Sequence, residues 1–151
     1  MQPLWPPSGR KSTYPNVQFC QATSLLDESM MFIKEHDFGN SFKERSINSF
    51  ITLVDEWKGP NFRFVDKRMQ EAWEGTCKAT HAFTLILIER SGYSHNSTTT
   101  MTVKTLQDIQ QGGRSPLTLQ AAIALNTAAD DIVTKWELFV PLGVKRLQVA
   151  L

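Results

Sequence analysis

Glu74, Cys77 and His81 are spaced by three and four residues, which on a helix sets a carboxylate, a thiol and an imidazole along one shoulder. Those donors suit zinc, and a fourth ligand would have to come from Cys20 or His36 on another segment. No Cys-x-x-Cys or His-Glu-x-x-His signature accompanies them, so the plainer reading puts Cys77 at the core edge with Glu74 and His81 half exposed. No metal or other cofactor is expected. Arg90 and His95 form a second candidate pair, an Arg-x-x-x-x-His spacing in an otherwise helical chain. His36-Asp37 could act as an acid-base pair, although a histidine at a helix C-terminus already has a simpler use against the negative end of the dipole. Gly112-Gly113 lacks the Lys-Ser or Lys-Thr ending of a phosphate-binding loop, and no Gly-x-Ser-x-Gly elbow occurs.

The elements that would carry these residues are helical. Pro3, Pro6, Pro7 and Pro15 fix φ and remove backbone donors, so residues 1–23 read as an extended Pro-rich arm bearing Leu4 and Trp5, followed by a single helical domain over 24–151. Ser24 is the expected N-cap of a first helix that ends at Gly39. Over Ser41 to Trp57, steps of 100° gather Phe42, Ile47, Phe50, Ile51, Leu53, Val54 and Trp57 on one half of a wheel, and Lys58-Gly59-Pro60 stops that helix. A third helix over Asp66 to Glu89 carries the stripe Met69, Ala72, Trp73, Thr76, Thr80, Phe83 and Leu87. Its end, Leu85-Ile86-Leu87-Ile88, is apolar all round; a buried strand is the rival reading for so short a run. Residues 90–115 form one long polar loop interrupted by a short helix near Val103 to Gln110. Ser115-Pro116 opens the last helix, and Pro141 is expected to end or kink it, with Leu142 to Leu151 as a further short helical segment. The expected fold is all-α, a compact bundle of four main amphipathic helices.

In such a bundle the Arg90-x-x-x-x-His95 spacing resembles the motif of the HEPN ribonucleases, helical proteins whose Arg and His cleave RNA at a dimer interface. The polar residue that often follows the family's Arg is here Ser91. The resemblance implies that His95 handles the proton of the attacking ribose hydroxyl while Arg90 stabilises the charged phosphate.

Composition narrows the partners. With 151 residues, 41% hydrophobic, and 16 Lys plus Arg against 15 Asp plus Glu, the chain is neither disordered nor drawn as a whole to phosphate backbones or anionic lipid. Lys43, Arg45, Arg63, Lys67 and Arg68 interleave with Phe62 and Phe64, a modest basic grouping in which the rings more simply staple a loop to the core. Cys20 and Cys77 stand alone, as reduced thiols of a cytoplasmic protein would, and no apolar run approaches the ~20 residues of a membrane span. The expected function is macromolecular binding, to a protein partner or to a second copy, as an accessory, oligomer-forming or immunity-type factor. Leu4, Trp5, Leu85, Ile86 and Ile88 are the expected contact residues, with nucleic acid not indicated. A HEPN-like ribonuclease using Arg90 and His95 is the alternative.

Overall fold

A computed structural model of the protein describes residues 14–57 and 62–148. Among these residues, helix α1 spans Pro15–Glu35, strand β1 Phe42–Lys43, helix α2 Asn48–Glu56, helix α3 Lys67–Arg90, strands β2 Gly92–Tyr93 and β3 Thr100–Thr102, and helices α4 Leu106–Gln111 and α5 Pro116–Leu147. The fold is mostly helical, as expected, with a small antiparallel sheet in the order β1-β3-β2. No helix of the described residues is long and apolar enough to cross a membrane. Leu4 and Trp5, together with the stop signal at Lys58-Gly59-Pro60, lie outside the described residues.

Helix α1 begins at Pro15, well before Ser24, which is exposed in mid-helix. Pro15 occupies the first helical position, where its fixed φ suits the turn and its missing donor costs nothing. The buried stripe Phe19, Ala22, Leu26, Met30 and Ile33 already runs at helical spacing on both sides of Ser24, so burial of that face extends the helix through residues read as arm. Helix α2 is shorter than its apolar wheel. Phe42 pairs with Met101 and Lys43 with Thr100 in the sheet, a 3-10 turn covers Glu44–Ser46, and the α-helix starts at Asn48. Phe42 and Ile47 are still buried, because a strand and a turn can aim them inward as well as a helix can.

Asp66 caps α3, its carboxylate accepting from the Met69 amide at 3.1 Å, and the helix carries through Leu85-Ile86-Leu87-Ile88, which excludes the strand. The region expected to be a long polar loop is largely ordered by its own polarity. Asn96 adopts a φ of 59°, Ser97 Oγ accepts from the amides of Thr99 and Thr100, and β2 and β3 form a hairpin around this turn. Helix α4 follows, capped by Thr105 and closed by Gly112 at a φ of 72°. Ser115 caps α5, whose axis is not ended by Pro141: the helix runs on to Leu147, in place of a separate terminal segment. Proline there denies the Glu137 carbonyl its partner, but both residues are exposed and water can take that acceptor, while Trp136, Phe139 and Gly143 on the inner face hold the helix to the core.

Helices α3 and α5 lie antiparallel, which brings Gly75 near Lys135, Trp73 against Phe139 at 5.2 Å, and Arg146 onto Asp66 at 3.0 Å. The core holds two aromatic nests. Phe139 sits among Phe19, Phe64, Trp73 and Trp136, and Phe38 sits among Phe32, His36, Phe42 and Phe83. Phe64 is therefore a core residue rather than a platform for a nucleotide base.

Candidate functional site: the cleft between α2 and α3

Spacing along α3 puts Glu74, Cys77, His81, Leu85 and Ile88 on one face, about 21 Å from end to end. Helix α2 runs beside this face and contributes Leu53, Val54, Asp55 and Trp57 to a cleft of about 830 Å³, whose α3 wall includes Glu71, Glu74, Cys77, Lys78 and His81. Apolar groups of α2 and the Cys77 thiol supply the non-polar surface, whereas Asp55, Glu71 and Glu74 outnumber Lys78 around them. The cleft is apolar in part and acidic on balance.

Cys77 is half-buried, and that burial, with the negative charge of Glu74 added, pushes its thiol up to about 12. A thiol held neutral in this way is a poor nucleophile. Glu74 accepts a hydrogen bond from Gln70 at 2.9 Å, and His81 is exposed. The three side chains share the cleft, yet among the described residues no three of the His, Cys, Asp and Glu side chains are grouped so as to hold a metal ion. His36 is engaged elsewhere: its ring stacks on Phe32 at 4.6 Å and meets Phe38 and Phe42 edge-on. Asp37 beside it accepts from Asn126 and from the Gly39 amide, and these bonds hold its carboxyl below the ordinary range. His36-Asp37 thus joins the α1–β1 connection to α5.

Beyond His81 the same face of α3 becomes bare and apolar. Leu85 is 47% exposed and Ile88 76%, while Ile86 turns toward the core and is only half-buried. Arg90 and His95 fall on different elements. Arg90 ends α3, Ser91 closes the helix, and His95 lies exposed in the β2–β3 turn, outside the recess that Arg90 lines. Sequence reading missed Val54 and Trp57 as cleft-lining residues, because their place on the apolar half of the α2 wheel reads as core, where Leu53 does lie; only the position of Trp57 at the helix end hinted at partial exposure. A scan against protein-family models and searches of curated proteins and of solved structures found no match.

Proposed function

We propose that this protein works by binding another protein, and that the α3 face from Glu74 to Ile88 is the contact. The carrying observation is the exposure of Leu85 and Ile88 directly beyond a part-apolar cleft, on one continuous helix face. Exposed leucine and isoleucine side chains that a helix lines up on one side form an interaction patch. The favoured partner segment is amphipathic, with leucine-like side chains for the cleft and lysine or arginine beside them to meet Asp55, Glu71 and Glu74. Leu85 and Ile88 contribute little to this chain's own core, so replacing them separates binding from folding.

Native mass spectrometry of the protein drawn gently from its host's lysate is the test, with wild type and Leu85→Asp/Ile88→Asp compared. The wild type is expected to carry a stoichiometric protein companion or a second copy, and the double variant to lose it with its melting temperature unchanged. A companion retained equally by the double variant places the contact elsewhere, and a wild type that arrives as a bare monomer removes the reading.

A further inference from the structure

We propose that the recess between the end of α3, the end of strand β3 with the segment 103–105 that follows it, and the first turns of α5 binds a phosphate monoester bearing a small apolar group. The recess has a volume of about 390 Å³ and is lined by Glu89, Arg90, Val103, Lys104, Leu117 and Gln120 among others. Arg90 and Lys104 bring two cationic side chains to one recess. Neither Arg90 nor Lys104 forms an ion pair or a side-chain hydrogen bond among the described residues, although Lys104 is half-buried.

A guanidinium fork and an ammonium lining one recess suit a tetrahedral phosphate, which offers several oxygens and up to two negative charges. Glu89 is the one carboxylate in the lining, so the recess is positive on balance in a chain whose net charge is only +1. Val103, Leu117 and Ala121 add an apolar wall, and the volume lies at the small end of ligand pockets, room for a phosphate and one ring. Gly92 leaves the rim open, since a Cβ there would meet nothing within 4 Å. This site is independent of the protein-binding face.

Phenyl phosphate is the probe, titrated into the ¹⁵N-labelled full chain and followed at the amides of Gly92, Val103 and Leu117, with inorganic phosphate and phenol as controls. Saturable shifts are expected, with phenyl phosphate binding roughly tenfold more tightly than inorganic phosphate and phenol producing none. Arg90→Gln and Lys104→Gln should each weaken binding about tenfold, and Glu89→Gln should tighten it. Arg90 is exposed, so its variant keeps the fold and remains informative even if the Lys104 variant does not. Absence of a saturable shift, equal affinity for inorganic phosphate, unchanged affinity in Arg90→Gln, or weaker binding in Glu89→Gln would each overturn the assignment.

Discussion

Gly143 is the residue with the least room to change. A Cβ built on it would lie 2.1 Å from Phe19 Cε2, so the close approach of α5 to α1 depends on hydrogen at that position. Gly143→Ala should cost about 2–3 kcal/mol by overpacking, a drop of roughly 5–10 °C in a thermal melt. Phe19→Leu added to it should recover part of that loss, because the same ring is what clashes. Cys77 answers to a different measurement. Its raised thiol pKa predicts alkylation by iodoacetamide at pH 8 at least about tenfold slower than in the urea-unfolded chain. The sign for stability follows: the unfolded thiol ionises from about pH 8.5 while the folded one holds its proton, so this group's contribution declines as pH rises from there toward about 12. At His95, exposed in a turn away from the Arg90 recess, His95→Ala should leave both the melting temperature and any RNA cleavage unchanged; loss of cleavage alone would restore the ribonuclease reading.

Elements show where a sequence speaks plainly. The stripe from Met69 to Leu87 gave α3 to within a residue at each end, since a capping aspartate and a long apolar period agree there. Ser115-Pro116 did the same for the start of α5. Strands β1, β2 and β3 were not legible, because strands of two or three residues have no period and owe their form to partners as distant in sequence as Met101 is from Phe42. The cleft was half legible: helical spacing united Glu74, Cys77 and His81, but nothing local says that α2 stands back far enough to leave a cleft beside them. Two junctions can be tested. Asp108 accepts from Thr118 Oγ1 and from both the amide and the hydroxyl of Ser115, locking α4 to the start of α5, and these bonds hold its carboxyl below the ordinary range. A lowered folded pKa gives stability that is present above the unfolded value near 3.9 and lost as pH falls through the folded one. Asp108→Asn should therefore melt at a lower temperature than wild type at pH 7, with the gap narrowing on acidification. Pro141→Ala restores a backbone bond to Glu137; weighed against the unfolded-chain freedom that alanine adds, it should stabilise by about 1–2 kcal/mol in urea titration.

At the scale of the molecule, the paired α3 and α5 form a spine to which the other elements attach, and the two aromatic nests fill the core around it. The sheet is a small clip, and Met101 is its centre, paired with Phe42 on one side and Tyr93 on the other. Tyr93 also donates to Glu44 at 2.9 Å, so the edge strand β2 is tied across β3 to the turn that follows β1. A hairpin this short is not stable alone, and its outer strand arrives from a distant part of the chain, so the loop-closure cost must be met before any ladder bond forms. In folding time the clip is then a late event, closing after the helices have docked. Hydrogen exchange at the clip should run ahead of global unfolding, with the β3 amides exchanging well before that of Leu125 on α5, so the recess walled by β3 would open and close while the spine stays folded.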